Sequence, residues 1–175
     1  MNIERSMVEK ITIRGLKNYS PITVIVENGE TEEQANIKIS CFGESWTHYW
    51  GSMGSPIGEF FNRCDNDYLI SKLTNISQKE EDLGLDWKVM RDIVAKARRR
   101  REISETDARQ AYYYILLYKP DRHDLENGLP YDLQPIEELR EYWYIDWPMF
   151  DNPRYAYMSG IIDAVRIALN SEKDC

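Results

Sequence analysis

Ile22-Thr23-Val24-Ile25-Val26 is the stretch that decides the fold, because its apolar residues recur with a period of two. That period is typical of a strand with one buried face. Ile11-Thr12-Ile13-Arg14 shows the same pattern upstream, and residues 37–41 show it downstream. Residues 15–20 and 28–30 supply glycine and asparagine, which tolerate the backbone of tight turns. We therefore expect consecutive strands that pair antiparallel.

The last strand of this region follows Gly43, which interrupts the alternation and predicts a bulge or a bend. Beyond it, Trp46, His48 and Trp50 alternate with polar or amphipathic residues and therefore share one face of a strand. Residues 8–50 together predict an antiparallel sheet of three to four strands.

The remaining two thirds of the chain carry helical periodicity. Ser55-Pro56 predicts an N-cap followed by proline at the first helical position. Residues 75–85 read as a polar connector, and residues 120–130 as an acidic loop. The helices are expected over residues 57–73 with a break at 65–67, over 87–101, over 104–119, from Pro135, and from Asn152-Pro153 onward. The third of these should bury Ala108, Ala111, Tyr112, Ile115 and Leu116.

Strands followed by helices predict an α+β fold, in which C-terminal helices pack an N-terminal antiparallel sheet. A chain of 175 residues has the length of one ordinary domain, and we find no linker or internal repeat. We predict a single domain over residues 1–175, with strands roughly at 8–50 and helices roughly at 56–170.

Composition places the chain among globular proteins, with 42% apolar and 30% charged residues. No apolar run reaches the roughly 20 residues that cross a bilayer, and residues 1–5 lack the pattern of a secretory signal. The three cysteines, at positions 41, 64 and 175, are odd in number, which favours a reducing compartment without structural disulfides. We expect a cytoplasmic protein that has no membrane partner.

Charge is strongly polarised along the chain, although the net charge is −8. Residues 88–101 hold seven basic side chains against one acidic, whereas residues 120–152 hold nine acidic side chains against two arginines. The run Lys96, Arg98, Arg99, Arg100 and Arg101 is the first candidate contact for a partner, because arginine binds phosphates and carboxylates. The alternative is a solvated helix end that pairs with the chain's own acidic segment at 121–138.

Aromatic residues form two further candidate contacts, Trp46, His48 and Trp50 on one strand and Trp143 with Trp147 in a later segment. Tryptophan, tyrosine and arginine dominate binding hot spots. Core packing is the ordinary alternative explanation for both groups.

Catalytic and metal-binding patterns are missing from the sequence. No paired cysteines or histidines have the short spacing of a zinc site, and no glycine-rich phosphate loop is present. Cys41 or Cys64 could serve as a nucleophile beside His48, but Cys41 and His48 are seven residues apart and fall on opposite sheet faces unless Gly43 resets the alternation. We predict no metal and no cofactor, and both cysteines read as core residues.

One segment resembles a family of small proteins from enterobacterial phages and prophages. The residues that carry the resemblance are Ser40-Cys41-Phe42-Gly43-Glu44-Ser45-Trp46-Thr47-His48-Tyr49-Trp50-Gly51-Ser52-Met53-Gly54, Glu59-Phe60-Phe61 and Cys64-Asp65-Asn66-Asp67-Tyr68-Leu69. The resemblance implies an accessory phage gene in a bacterial cytoplasm. Accessory genes of this class often encode inhibitors or modulators of host machinery, including defence systems, and no residue role follows from the likeness.

Three functional hypotheses follow. The leading one is a non-enzymatic accessory protein that binds a host or phage macromolecule, an inhibitor of host defence or of nucleic-acid machinery being one form of it. The second is direct binding of nucleic acid, with Arg98 to Arg101 on phosphates and exposed aromatic rings on bases. The third is a small enzyme with His48 exposed inside a cavity near Trp46 to Trp50.

Overall fold

The computed structural model describes residues 8–171 and shows six strands and seven helices within that range. The strands are β1 Glu9–Ile13, β2 Ile22–Asn28, β3 Ala35–Cys41, β4 Glu44–Trp50, β5 Lys79–Glu81 and β6 Met149–Asp151. The helices are α1 Ile57–Arg63, α2 Asn66–Leu73, α3 Leu83–Arg99, α4 Glu105–Tyr118, α5 Arg122–Glu126, α6 Glu137–Arg140 and α7 Pro153–Asn170. Residues 1–5 and Cys175, to which the sequence analysis referred, lie outside the described residues.

The first four strands form an antiparallel sheet in the order β1-β2-β3-β4, as the alternation predicted. Ile22, Val24 and Ile39 are fully buried, whereas the residues between them along each strand are partly or largely exposed. One face of the sheet therefore belongs to the core and the other is open. The predicted α+β fold is confirmed.

The turn between β3 and β4 differs from the predicted bulge or bend. Phe42 and Gly43 both have positive φ, 52° and 84°, and Cys41 pairs directly with Glu44. This geometry is a two-residue hairpin turn whose twist matches that of the paired strands. The turn at Gly43 therefore resets the alternation, which is the alternative that the sequence left open: His48 pairs with Ile37 and lies on the same sheet face as Cys41. Ile37, which lies opposite His48, is four residues from Cys41 along β3, and this spacing corresponds to about 13 Å.

The described residues form two compact units, residues 8–78 together with residues 152–171, and residues 79–151. In the first unit, α1, α2 and α7 contribute Phe61, Leu69 and Ile162 to the core that the sheet faces. Asp65 accepts a hydrogen bond from the Tyr68 N–H and caps α2, so the predicted break at 65–67 is confirmed. The prediction of one domain over residues 1–175 stays a prediction.

Ser55 has a different role from the predicted N-cap. The helix begins at Ile57 and no side chain caps it, while the buried Ser55 hydroxyl accepts a hydrogen bond of 2.7 Å from Arg63. Pro56 occupies the cap position with an extended backbone, φ −55° and ψ 152°. The serine therefore ties the chain entering α1 to the end of the same helix.

The second unit has its own core, built mainly from α3 and α4 and including Met90, Ile115 and Leu139. Ser104 accepts a hydrogen bond from the Asp107 N–H and begins α4, as predicted. The predicted connector holds the unpredicted strand β5, and the predicted acidic loop holds α5. The strand β6, which follows the aromatic segment, was also not predicted and pairs antiparallel with β5. Between residues 8 and 171, no helix combines the length and apolar character that a membrane span requires.

Candidate partner-binding groove

The arginine run lies where the sequence analysis placed it, at the C-terminal end of α3. Arg98 and Arg99 belong to the last helical turn, where basic side chains complement the helix dipole. Arg101 has φ 61°, and the Glu102 N–H donates to the Ala97 carbonyl at 3.0 Å. This left-handed ending with a six-to-one hydrogen bond is the usual way to stop a helix, although glycine is more common at such a position.

A groove of about 560 Å³ runs between α3 and α4. Val94, Ala95 and Ala108 are among its apolar lining residues. Tyrosines and Leu116 of α4 and arginines from both helices also line it. We call it the α3–α4 groove, and its lining is Val94, Ala95, Arg98, Arg99, Glu105, Ala108, Arg109, Tyr112, Tyr113 and Leu116.

The α4 side of this groove corrects part of the sequence analysis. Tyr112 is 38% exposed and Leu116 is 45% exposed, so the prediction that both are buried is wrong. Only Ala111 and Ile115 of that helix are buried, because the neighbouring elements cover one narrow face. Tyr113 is 68% exposed. The helix therefore presents large apolar side chains that no described residue covers.

Three of the four arginines of the run have no carboxylate partner among the described residues. Within residues 8–171, Arg98, Arg99 and Arg101 take part in none of the ion pairs, and Arg100 makes one weak contact, 3.8 Å from Glu102. Arg99 donates instead to the Ala95 carbonyl at 3.2 Å. Lys96 is exposed at the same helix end.

Acidic side chains of the segment at 121–138 form local contacts within that segment instead. Asp121 caps α5, and the Asp124 carboxylate accepts a hydrogen bond from the Asp121 N–H, which completes a capping box. Glu126 contacts His123 at 3.1 Å, and this hydrogen bond raises the pKa of His123. None of the ion pairs in the described part of the chain joins this segment to the arginine run. The alternative of internal pairing is thus not observed.

A buried arginine in the same segment was missed by the sequence analysis. Arg122 is 6% exposed and Asp86 is fully buried. Arg122 donates to both Asp86 oxygens at 2.9 Å, and to Glu81 and the Pro148 carbonyl at 3.1 Å. The hydrogen bond to Asp86 is the main cause that raises the pKa of Arg122. This cluster fixes the beginning of α3 to α5 and to the β5–β6 pair.

The two predicted tryptophans of the second unit differ in exposure. Trp143 is 61% exposed, in a 3₁₀ turn at Tyr142–Tyr144. Trp147 is half-buried, donates to the Tyr142 carbonyl at 2.9 Å, and stacks under Arg122, with 5.2 Å from the guanidinium carbon to the ring centroid. Trp143 is therefore exposed to solvent, whereas Trp147 packs against the buried Arg122.

The predicted residues on β4 lie in the first unit. Trp50 is 5% exposed, packs against Phe60, and donates to the Tyr68 hydroxyl at 3.3 Å, which makes it a core residue. The His48 ring contacts the Trp50 ring with centroids 4.5 Å apart. Burial, followed by the charge of Lys72, lowers the pKa of His48. Trp46 is half-buried.

Within residues 8–171, neither Cys41 nor Cys64 forms the hydrogen bond with His48 that joins a nucleophile to its base. Cys41 is buried and its sulfur lies 3.2 Å from the Tyr157 hydroxyl, while Cys64 is half-buried and its thiol pKa is raised by burial. Residues 8–171 contain no cluster of three histidine, cysteine or acidic side chains that could hold a metal ion.

The comparisons with known proteins support the predicted kinship. A family model described as a phage family matches residues 1–171. No curated protein and no solved structure matches the chain. Because the match spans nearly the whole sequence, this chain belongs to that phage family.

Proposed function

We propose that this chain is a non-enzymatic phage accessory protein, and that it binds an acidic, partly apolar segment of a host or phage protein in the α3–α4 groove. The observation that carries the proposal is the juxtaposition of unpaired arginines with exposed tyrosines along one groove. A protein of this kind would modulate host machinery, defence systems included.

The shape of the groove supports a helical or extended peptide segment as the occupant. Its lining includes Ala95 and Ala108, whose small side chains allow a partner's backbone or apolar side chains to approach closely. Helix-in-groove recognition places the apolar face of a helix in a groove of this kind. Tyr112 and Leu116, which are exposed beside it, offer apolar area that a partner would remove from water.

The charges support an acidic occupant. Arg98 and Arg99 line the groove and have no carboxylate partner within residues 8–171. Arg109 already holds Glu105 at 2.6 Å, which leaves the two α3 arginines as the groove's unpaired cations. Arginine forms paired hydrogen bonds with carboxylates, so acidic side chains on the partner would fix its position along the groove.

Nucleic acid is the second candidate, because the same arginines would bind phosphates and Tyr113 would stack on bases. The net charge of −8 opposes binding to nucleic acid, which carries a negative charge at every nucleotide, more strongly than binding to a short segment with a few acidic side chains. We therefore favour the acidic protein segment.

Site-specific photocrosslinking tests the proposal. A benzophenone amino acid replaces Tyr113, and the full chain is irradiated in phage-infected bacteria. We expect a protein crosslink whose attached peptide is rich in acidic and apolar residues. We also expect Arg98→Ser with Arg99→Ser to remove it.

The control changes the neighbouring pair, Arg100→Ser with Arg101→Asn, which removes the same charge outside the groove lining. Asparagine tolerates the left-handed backbone at position 101. Crosslinking to nucleic acid, with a gel shift that weakens steeply as salt rises, would favour the second candidate. Equal loss in both variant pairs, or no crosslink, would refute the groove as the contact.

A further inference from the structure

The first unit contains a second concave site that the proposed function does not use. A cavity of about 660 Å³ lies between the β3–β4 hairpin and the beginning of α7. Binding sites for small molecules commonly have volumes of roughly 300–1,000 Å³ and mostly apolar walls. Tyr19, Trp46, Tyr157 and Met158 supply such walls here. The size and lining therefore fit a small organic molecule with a flat apolar part.

The aromatic wall is held in place by the protein itself. The Tyr19 and Tyr157 rings are stacked with centroids 4.9 Å apart, and the Tyr19 hydroxyl donates to the Tyr157 carbonyl at 3.3 Å. Gly160 makes this possible, because a Cβ at that position would overlap the Tyr19 hydroxyl. The Tyr157 hydroxyl in turn contacts the Cys41 sulfur at 3.2 Å. A wall that is already ordered lowers the entropic cost of binding.

Phe42 lines the cavity and has an unfavourable backbone conformation. Its φ is 52°, in the left-handed region that bulky side chains rarely adopt, and its ring is 82% exposed. Asparagine or glycine would suit this turn position better. Because strained and exposed residues cluster at functional sites, the position of Phe42 indicates a role in contacting a ligand.

The charged side chains of the lining form a loose pair. Arg154 and Glu44 are 69% and 59% exposed, with 3.8 Å between a guanidinium nitrogen and a carboxylate oxygen. An exposed pair of this kind contributes about 0–1 kcal/mol, so it is easily exchanged for better contacts. A ligand carboxylate would bind the guanidinium, and a ligand ammonium would bind the carboxylate.

We propose that this cavity binds a small aromatic zwitterion, a molecule with a flat ring, a carboxylate and an amine, of which an aromatic amino acid is the simplest example. The ring would lie between Tyr157 and Trp46, and Phe42 would cover it. The ligand's carboxylate would bind Arg154 and its ammonium would bind Glu44.

Calorimetric titration of the full chain with L-tryptophan and L-phenylalanine tests this proposal. We expect a Kd below about 1 mM for at least one of them, equivalent to about −4 kcal/mol. Indole carries only the ring and glycine carries only the two charges. Each should bind at least roughly tenfold more weakly than the amino acid, because each lacks one half of the contacts.

Variants at the cavity distinguish specific binding there from nonspecific binding elsewhere on the protein. Arg154→Met and Glu44→Gln change exposed side chains and should each weaken binding by roughly fivefold or more, as expected for losing one charge-assisted hydrogen bond. Arg14→Met, at an exposed arginine outside the lining, is the matched control and should leave the Kd unchanged. Absence of binding at 1 mM, equal affinity for indole, or an equal effect of the control would overturn the proposal.

Discussion

Replacing Phe42 by asparagine should make the protein more stable and should weaken ligand binding in the cavity. Phe42 is 82% exposed, so the substitution removes little buried apolar area. A left-handed backbone costs most residues roughly 1–2 kcal/mol, whereas Asn-Gly is the preferred pair for a two-residue hairpin turn. We therefore expect the free energy of unfolding to rise by about 1 kcal/mol, and the Tm by about 2–4 °C for a chain of this size.

Urea and thermal unfolding followed by circular dichroism measure this gain. The matched control is Tyr49→Asn, which changes an exposed aromatic on the adjoining strand, 55% exposed and with ordinary strand geometry. Asparagine is disfavoured within strands, so the control should lose up to about 1 kcal/mol. Titration of Phe42→Asn with L-tryptophan should show weaker binding despite the higher stability. A lower Tm for Phe42→Asn would refute the strain argument, and unchanged binding would remove Phe42 from the ligand site.

Three further predictions concern Asp86, Gly160 and His48. Asp86→Asn should lower the free energy of unfolding by about 3–5 kcal/mol in urea titrations, because it leaves the buried Arg122 without its main counter-charge, and a loss below 1 kcal/mol would contradict the assigned role. Gly160→Ala should cost about 1–3 kcal/mol by displacing Tyr19 and should reduce the near-ultraviolet tyrosine signal, whereas an unchanged signal would show that the stack tolerates a Cβ. Because burial lowers the pKa of His48, the unfolding free energy of the wild type relative to His48→Gln should be constant above pH 6.5 and fall as the pH drops through the folded-state pKa; a rise on acidification would contradict this.

Local patterns were enough to predict the sheet and most helices. Alternation gave β2 and β3, and short polar side chains before apolar stripes marked helix starts such as Asp65, Ser104 and Asn152. The β5–β6 pair could not be predicted, because each strand is three residues long, exposed throughout, and about 70 residues from its partner. The pair depends on long-range contacts, which produce no hydrophobic periodicity in the sequence.

Only part of the candidate groove could be predicted from the sequence. The run Arg98 to Arg101 is visible in any inspection of charge. Tyr112 and Leu116 were assigned to the core because residues 111–118 are apolar around most of the helix, and periodicity cannot then distinguish the covered face. Arg122 and Asp86 lie 36 positions apart, so only their contact in the folded chain reveals the pair.

We propose that a partner binds in the α3–α4 groove and does not respond to basic charge in general. The most direct measurement is the Kd of the crosslinked partner segment, as a purified peptide, for the wild type and two paired variants at physiological salt. Arg98→Ser with Arg99→Ser should weaken binding by roughly tenfold or more, while Arg100→Ser with Arg101→Asn should change it by less than about threefold. Equal weakening by both pairs would contradict the claim, because it would show that the partner senses only the net charge of the run.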